Sequence, residues 1–340
     1  MMSKAANFLS EDLSGFVARE RPAFEAALGG ALPTSSLHGA GRFNEALAYA
    51  VFPGGKRLRP ALALVAANLA GASRAQGLAV ACAVEFLHSS SLILDDLPSM
   101  DDADLRRSRR ALHLVYGEGL AVLAAVALLN RAYALLAEAA VACGRAGAVE
   151  SLVCEAARCV GADGMVGGQA VDLELRADAA GERALAARDL KTVALMRLMM
   201  TAGALACGAD EDDRGALAEF GDCFGRAYQV CDDLLDGVGG GGGVTCEAAA
   251  AADGKPAGQD ARHERANAVS AFGARSARRF AVRLAERGVG GLYAQFGARG
   301  EVRLLAESAA GVLARAGVRW DWARVEDGAR GRRAAARPLA

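Results

Sequence analysis

Residues 91–101 read Ser-Leu-Ile-Leu-Asp-Asp-Leu-Pro-Ser-Met-Asp, and residues 228–236 read Tyr-Gln-Val-Cys-Asp-Asp-Leu-Leu-Asp. In both stretches an apolar run leads into a cluster of aspartates. Carboxylates grouped this closely repel one another, so such clusters persist in a fold when cations lie between them. Mg²⁺ binds a few carboxylate oxygens and completes its shell with substrate phosphates. The two stretches therefore predict a metal-dependent enzyme that acts on a diphosphate.

The sequence around these clusters predicts an all-α fold. Asp232 and Asp236 are four residues apart and share one face of a helix. No proline lies between Pro98 and Pro256, and this span is rich in Ala and Leu, which favour helices. We expect a bundle of about ten or more helices around a central cavity that both clusters line. The expected helices cover residues 10–28, 41–51, 59–71, 76–97, 117–143, 146–175, 184–208, 212–236, 262–287 and 299–315, and no segment alternates clearly enough to be a strand.

Composition restricts the function further. Lys and Arg (39) nearly balance Asp and Glu (40), and aromatic residues are 5%, so nucleic acid is not expected as a partner. No run of 18 apolar residues occurs, so no transmembrane segment is expected. The first 25 residues contain Glu11, Asp12 and Glu20 and no apolar core of a signal peptide. The eight cysteines form no Cys-x-x-Cys pair, which is typical of reduced thiols in the cytoplasm.

Two segments interrupt the helical pattern. Residues 237–243 are almost all glycine, which loses much entropy on ordering. Two interpretations stay open for this segment, a plain loop and a flap that closes over substrate. Residues 328–340 carry four arginines, and we expect a disordered tail. Residues 1–327 are expected to form a single domain.

Basic residues and a histidine elsewhere in the chain could bind an anion that the aspartates also hold. Residues 54–60, Gly-Gly-Lys-Arg-Leu-Arg-Pro, place three positive charges in a turn that enters a helix, where glycine allows an anion to approach the backbone. His88 lies seven residues before Asp95, two turns back on the same helix face. Each of these features alone has an ordinary structural explanation, and their combination favours an anion site.

Together these motifs resemble the polyprenyl synthetase family, the all-α trans-isoprenyl diphosphate synthases, over residues 40–275. The matching motifs are GGKRxRP at 54–60, the first aspartate-rich motif with DLRR at 95–107, GGQ with Asp172 at 167–172, Lys-Thr at 191–192, Tyr-Gln-x-x-DDxxD at 228–236 and GKxxGxD at 254–260. Within the family, residues 91–98 and 123–129 are most similar to bacterial carotenoid-pathway geranylgeranyl diphosphate synthases.

The resemblance implies a role for each site residue. Mg²⁺ would be held by Asp95, Asp96, Asp101, Asp232, Asp233 and Asp236. The allylic diphosphate would contact Arg106, Lys191, Thr192, Gln229, Lys255 and Arg265, the last standing where a lysine is usual. Isopentenyl diphosphate would be bound by Lys56, Arg59, His88 and Arg107. The catalytic set would be the six aspartates and Lys191, and a homodimer is the usual assembly of the family.

The chain also departs from the family pattern. Ser108-Arg109-Arg110-Ala111 replaces the usual Gly-Lys/Arg-Pro-Thr, and Gln259 replaces a lysine. These changes put substrate affinity in question but remove no metal ligand. Product length should depend on Ser90 and Ser91, which are small and leave room in a tunnel below Asp95. An alternative is that both face a neighbouring helix.

The expected activity is the condensation of isopentenyl diphosphate with dimethylallyl, geranyl and farnesyl diphosphates to a C20 product, geranylgeranyl diphosphate. One alternative is a farnesyl diphosphate synthase, which stops at C15. A terpene cyclase is less favoured because the chain has no Asn-Asp dipeptide. From another class, the chain could be a non-catalytic regulatory subunit of a prenyl synthase, although none of the aspartates is lost.

Overall fold

The computed structural model describes residues 11–142, 144–175, 181–238, 267–326 and 328. Within these ranges the chain forms thirteen helices and one short hairpin, which confirms the predicted all-α class. The helices are α1 (Leu13–Ala31), α2 (Gly41–Val51), α3 (Leu58–Leu69), α4 (Arg74–Asp95), α5 (Leu112–Tyr116), α6 (Glu118–Val141), α7 (Ala148–Val160), α8 (Met165–Glu174), α9 (Glu182–Cys207), α10 (Glu211–Val238), α11 (Ala268–Phe272), α12 (Ala274–Phe296) and α13 (Gly300–Arg315). The hairpin pairs β1 (Leu105–Arg106) with β2 (Arg109–Arg110).

Two long helices form the centre of the bundle. Helix α4 packs against α3, α6 and α9, and helix α9 packs against α3, α7, α8 and α10. Between residues 193 and 206 nearly every side chain of α9 is buried. A helix surrounded on all sides needs apolar residues on every face, which explains the weak polar-apolar periodicity of this segment.

Three helices, α4, α6 and α9, are long and apolar enough to cross a membrane, judged by length and composition alone. The share of the most apolar window that is buried inside the bundle is 67% for α4 and α9 and 39% for α6. Packing against other helices therefore accounts for the apolar character of α4 and α9 more fully than for that of α6. The absence of a transmembrane segment stays a prediction.

Glycines allow α10 to approach α9 at backbone contact. A Cβ atom placed on Gly221 would lie 2.7 Å from the Cα atom of Arg197, and one on Gly225 would lie 2.8 Å from the Cα atom of Val193. Real Cβ atoms do not come this close, so the two helices cross where α10 has no side chain. This crossing fixes the position of the second aspartate cluster along the axis of α9.

The structure corrects several helix predictions. The helix expected over residues 146–175 is two helices, α7 and α8, because the chain folds back on itself at 161–164. A Cβ atom on Gly164 would lie 2.2 Å from the carbonyl oxygen of Cys159, and one on Gly167 would lie 1.7 Å from that of Ala162. The chain also contains α5 and the hairpin, which were not expected. The helix expected over 262–287 is broken at Gly273, whose φ is +77°.

Two predicted segments fall largely outside the described residues. Helix α10 continues to Val238, so the glycine-rich segment is described only at its start. The tail is described only at Gly328. The predictions of a loop or flap and of a disordered tail are therefore untested.

The glycine contact on α10 gives a test of the packing. Gly221→Ala should lower the free energy of unfolding by about 1–3 kcal/mol, because its Cβ atom forces the two helices apart. Gly215→Ala in the same helix has nothing within 4 Å and should raise stability by about 0.5–1 kcal/mol through helix propensity. Thermal and urea unfolding measure both, and equal effects of the two substitutions would contradict the close crossing.

Candidate active site

The first aspartate cluster sits where α4 ends and the chain turns back. Helix α4 ends at Asp95, and the amide of Asp101 donates to the carbonyl oxygen of Asp95 at 2.9 Å. The amide of Ala103 donates to the carbonyl oxygen of Asp96 at 3.2 Å. Pro98 cannot continue the helical hydrogen bonds, and after it the chain turns so that Asp101 returns towards Asp95.

Asp96 and Arg106 form an ion pair. Asp96 is buried, and the guanidinium of Arg106 donates to both of its carboxylate oxygens. Arg106 belongs to β1, and the turn after it has φ values of +53° at Arg107 and +61° at Ser108. Two positive φ values are typical of a type I′ hairpin turn, which normally carries glycine or asparagine. Arg106 and Arg107 thus lie at a tight, strained turn beside the aspartates.

The hairpin is attached to the end of α2. The guanidinium of Arg109 lies 3.8 Å from the ring centroid of Tyr49 and donates to the carbonyl oxygen of Phe52 at 2.7 Å. The Tyr49 hydroxyl donates to the carbonyl oxygen of Arg110 at 3.0 Å. A cavity of about 70 Å³ lies between α2, α4 and the hairpin, and Gly54, Ser89, Asp96, Arg106, Arg107 and Arg109 are among the residues that line it.

The basic turn at 54–60 divides into exposed and buried cations. Lys56 is exposed, as an anion-binding residue requires. Arg57 is buried and donates to Glu25 and Glu85. Burial alone would lower the pKa of Arg57, but the two carboxylates overcome it and raise that pKa. Arg57 therefore holds the turn in place, and only two of the three cations remain available to a ligand.

Arg59 lies between α4 and α10. Its guanidinium is 3.2 Å from Nε2 of His88 and 5.6 Å from the ring centroid of Tyr228. Its Nε atom is buried and has no hydrogen-bond partner among the described residues. His88 is two turns before Asp95 on α4, and Tyr228 is one turn before Asp232 on α10. Arg59 therefore bridges the face of α4 that carries the first cluster and the face of α10 that carries the second. That both clusters line one cavity stays a prediction.

Burial and nearby positive charges keep His88 neutral. Its pKa is held well below the ordinary value, first by burial and then by Arg59, Arg107, Arg106 and Arg57. Arg107 lies 3.7 Å from Glu85, and burial lowers its pKa. Four arginines act on the imidazole of His88, and such a concentration of positive charge is expected where a polyanion binds.

The second aspartate cluster has two kinds of carboxylate. Asp232 is exposed and Asp236 is half-buried, on one face of α10. Asp233 is 1% exposed and accepts hydrogen bonds from Arg188 (2.9 Å), the side chain of Gln229 (3.1 Å) and the amide of Ala268 (2.7 Å). Both of its oxygens are thus held by the protein, which was not expected of a metal ligand.

Helix α9 places Lys191 beside the first cluster. Its ammonium group is 2.6 Å from Oδ2 of Asp172 on α8, and the charges of Asp172 and Asp95 raise its pKa against the effect of burial. A Cβ atom on Gly168 would lie 2.2 Å from the backbone nitrogen of Lys191. The glycine pair of the GGQ motif therefore lets α8 lie directly on α9 and brings Asp172 to the lysine.

The predicted allylic contacts Thr192 and Gln229 contact each other. The Thr192 hydroxyl donates to Oε1 of Gln229 at 3.0 Å, which joins α9 to α10 next to Asp233. Lys255 and Arg265, together with Gln259, lie outside the described residues. The binding of an allylic diphosphate by Thr192, Gln229, Lys255 and Arg265 stays a prediction, as it does for Arg106 and Lys191.

The two serines before Asp95 point in different directions. The Ser90 hydroxyl is buried and donates to the carbonyl oxygen of Ala125 in α6 at 3.0 Å. Ser91 is half-buried and one turn before Asp95 on the same face. Ser90 therefore faces a neighbouring helix, the alternative noted above. The Ser91 hydroxyl donates to the carbonyl oxygen of His88 at 3.0 Å, and its place on a product tunnel stays a prediction.

Among the described residues, no three His, Cys, Asp or Glu side chains come together as a ready-made metal cage. The carboxylates that would hold a metal are the four that are exposed or half-buried, Asp95, Asp101, Asp232 and Asp236. This donor set fits Mg²⁺ that shares its coordination with a diphosphate, since Mg²⁺ needs few protein ligands when phosphates and water complete its shell.

Several important residues were missed by sequence analysis. No sequence motif marks Arg188 or Glu85, and none indicates that Arg57 is turned inward. A signal existed for Arg188, because it lies three residues before Lys191 and so shares its face of α9.

Comparison with known proteins agrees with this arrangement. The family model described as Polyprenyl synthetase matches residues 41–286, and the chain belongs to this family. It is a prenyltransferase of the prenyl diphosphate synthase class, as the motifs predict.

Its relatives differ in the product for which they are named. The chain is 36% identical over 282 residues to farnesyl diphosphate synthase of Geobacillus stearothermophilus, covering 80% of this chain and 89% of the relative. It is 37% identical over 231 residues to a chloroplastic geranylfarnesyl diphosphate synthase of Leucosceptrum canum, covering 66% and 62%. It is 41% identical over 196 residues to geranylgeranyl pyrophosphate synthase 9 of Arabidopsis thaliana, covering 56% and 54%. The chain thus spans less than two thirds of these two plant relatives.

The fold also matches solved structures. The apo crystal structure of an FPP/GFPP synthase from Zymomonas mobilis superposes with a TM-score of 0.73 at 28% identity, covering 88% of this chain and 98% of that chain. Relatives named for farnesyl, geranylgeranyl and geranylfarnesyl products share this family, so family membership leaves product length open.

The neutral His88 predicts a pH dependence of stability. The folded protein keeps His88 unprotonated, whereas the unfolded chain binds a proton near pH 6.5. Stability should therefore fall as pH drops below 6.5, by up to about 1.4 kcal/mol per pH unit from this residue. His88→Gln should remove that component, so the unfolding free energies of the two proteins should converge between pH 7 and 5.5. Parallel curves would show that His88 is not held neutral.

Proposed function

We propose that this chain joins isopentenyl diphosphate to allylic diphosphates and makes geranylgeranyl diphosphate, releasing pyrophosphate. The observation that carries the proposal is the position of Arg59, which contacts both the face of α4 that bears the first aspartate cluster and the face of α10 that bears the second. Cations that remain accessible beside two sets of carboxylates suit two diphosphates and the Mg²⁺ that neutralises one of them.

The two substrates have separate sets of contacts. Arg59 and Arg107 lie near His88. Together with the exposed Lys56 they suit the diphosphate of isopentenyl diphosphate, which needs no metal where arginines supply the charge. Arg106, Lys191 and Thr192 lie towards the aspartates and suit the allylic diphosphate. His88, being neutral, offers a hydrogen bond there without adding charge.

Bond breaking requires stabilisation of a leaving group. The C–O bond of the allylic substrate breaks, its electron pair stays on pyrophosphate, and an allylic cation forms. Asp95, Asp101, Asp232 and Asp236 would hold Mg²⁺, which would supply charge neutralisation for that pyrophosphate. Lys191, held by Asp172 in a fixed position, offers the same stabilisation from α9 without needing to reorganise.

Bond making then needs no group on the protein to act as a nucleophile. The double bond of isopentenyl diphosphate attacks the allylic cation, and a new C–C bond forms. A proton leaves the resulting cation and a new double bond closes the cycle, with the departing pyrophosphate as the base. The protein contributes by placing the two substrates side by side.

The C20 product rests on the small side chain of Ser91 on the cavity face of α4. A farnesyl diphosphate synthase, the alternative with a C15 product, draws support from the relative of Geobacillus stearothermophilus. A non-catalytic regulatory subunit is less favoured, because the aspartates of both clusters are present.

We also propose that the protein is a homodimer in the cytoplasm. On α6, Val122, Leu123 and Val126 are 39–56% exposed and form an apolar stripe, which a second copy of the chain would cover. Light scattering of the purified protein decides between monomer and dimer, and fractionation of cells that produce it tests the location. A role in carotenoid supply stays a prediction.

The activity has a direct test. The isolated protein with Mg²⁺, isopentenyl diphosphate and farnesyl diphosphate should release pyrophosphate, and Asp95→Asn or Asp232→Asn should lower kcat by at least about 100-fold, since each removes charge stabilisation of the leaving group. Circular dichroism should show unchanged folding, because these carboxylates are accessible. Activity that appears only after a second synthase subunit is added would support the regulatory alternative.

Product length is tested on Ser91. Ser91→Phe should shift the main product from C20 to C15 in chromatography of the dephosphorylated prenols, because a phenyl ring on the cavity face of α4 blocks chain growth. Ser91→Ala is the control and should leave the product at C20. A C15 product from the unaltered protein would favour the farnesyl diphosphate synthase alternative, and unchanged length in Ser91→Phe would place the length limit elsewhere.

A further inference from the structure

A buried ion pair joins α9 to the second aspartate cluster. Arg188 is 3% exposed and Asp233 is 1% exposed. Nη2 of Arg188 lies 2.9 Å from Oδ2 of Asp233 and 2.7 Å from Oδ1 of Asp189. Burial would lower the pKa of Arg188, and the two carboxylates raise it above its ordinary value. The chemistry described above makes no use of this pair.

Asp233 connects three helices through one carboxylate. Its Oδ2 accepts from Arg188 on α9 and from the amide of Ala268 at the start of α11 at 2.7 Å. Its Oδ1 accepts from Gln229, one turn earlier on α10, at 3.1 Å. Three donors on two oxygens are typical of a structural carboxylate, and a metal ion would have to displace them.

The helical geometry turns Asp233 away from its neighbours. Successive residues of an α-helix differ by about 100°, so Asp232 and Asp236 share a face that Asp233 does not. The accessibilities agree, since Asp232 is exposed and Asp236 half-buried while Asp233 is enclosed. The cluster therefore has one carboxylate towards α9 and two on another face of α10, the face that also carries Tyr228.

We infer that Arg188 is a positioning residue, which holds α10 through Asp233 so that Asp232 and Asp236 stay on the face of α10 that Tyr228 presents to Arg59. Asp233 is then the anchor of the second cluster and not a ligand of Mg²⁺. This inference rests on the proposed function for its consequence in catalysis. Arg188 and Lys191 are three residues apart on α9, so one helix face reaches both clusters: Arg188 fixes the second, and Lys191 faces Asp95 in the first.

A double-mutant cycle tests the anchor in the apo protein. Arg188→Met should lower Tm by at least about 5 °C, because it leaves the charge of Asp233 buried without its arginine. The double variant, Arg188→Met with Asp233→Asn, also removes that charge. Its Tm should recover more than half of the decrease caused by Arg188→Met alone. Arg188→Lys should retain part of the stability. Additive losses of Tm in the double variant would overturn the inference.

A second measurement separates an anchor from a ligand. Mg²⁺ with inorganic pyrophosphate should raise the Tm of the unaltered protein. Asp232→Asn, the matched control, should lose most of this rise. Asp233→Asn should keep it with a half-saturating Mg²⁺ concentration within about threefold, because its amide oxygen can still accept the hydrogen bond of Arg188, whereas Arg188→Met removes the donor. Equal losses in the two variants would show that Asp233 binds the metal and would overturn the inference.

A third measurement separates positioning from general stability. Below its Tm, Arg188→Met should need at least about tenfold more Mg²⁺ for half-maximal product formation, because Asp232 and Asp236 lose their fixed direction. An unchanged Mg²⁺ requirement would mean that Arg188 only stabilises the fold. If the unaltered protein shows neither product nor a Tm rise with Mg²⁺ and pyrophosphate, the proposed function fails, while the apo cycle still reports on the anchor.

Discussion

Charge compensation along one face of α9 is the interaction on which the rest of the site depends. Arg188 pairs with the buried Asp233, and Lys191 pairs with the buried Asp172 and faces Asp95. Carboxylates removed from water without such partners cost several kcal/mol each, which would favour a different packing of α8 and α10. A single helix thus neutralises buried acidic groups of both neighbouring helices, α8 and α10.

This compensation works only because the helices come close enough. Gly168 brings α8 to the backbone of Lys191, and Gly221 with Gly225 brings α10 to the backbone of α9. Larger residues would move the helices apart by a side-chain thickness, beyond the reach of a hydrogen bond of 2.6–2.9 Å such as those of Lys191 and Arg188. The glycines and the ion pairs are therefore parts of one arrangement. Glycine packing sets the distance between the helices, and the ion pairs set how the helices are aligned.

Local patterns made the all-α class and most helices predictable, because proline and helix-face rules act within a few residues. The break between α7 and α8 also had a local signal, Gly161 and Gly164, whose closest backbone contacts lie within five residues along the chain. Arg57 had none, because the sequence groups it with Lys56 but its partners Glu25 and Glu85 are 32 and 28 residues away. Asp233 and Ser90 were assigned by motif, and their directions follow from neighbours on α9 and α6.

The apo arrangement also limits how much the site must change when a diphosphate binds. Arg106 is already held in place by Asp96, and Lys191 by Asp172, so neither side chain has to be ordered by the ligand. Arg59 differs, since its Nε atom is buried without a partner among the described residues while its Nη1 atom lies 3.2 Å from His88. An unsatisfied buried donor costs about 1–3 kcal/mol, and an anion that accepts its hydrogen bond recovers that cost. Fixed cations near the aspartates and one unsatisfied arginine beside His88 therefore favour binding of a diphosphate with little loss of side-chain entropy.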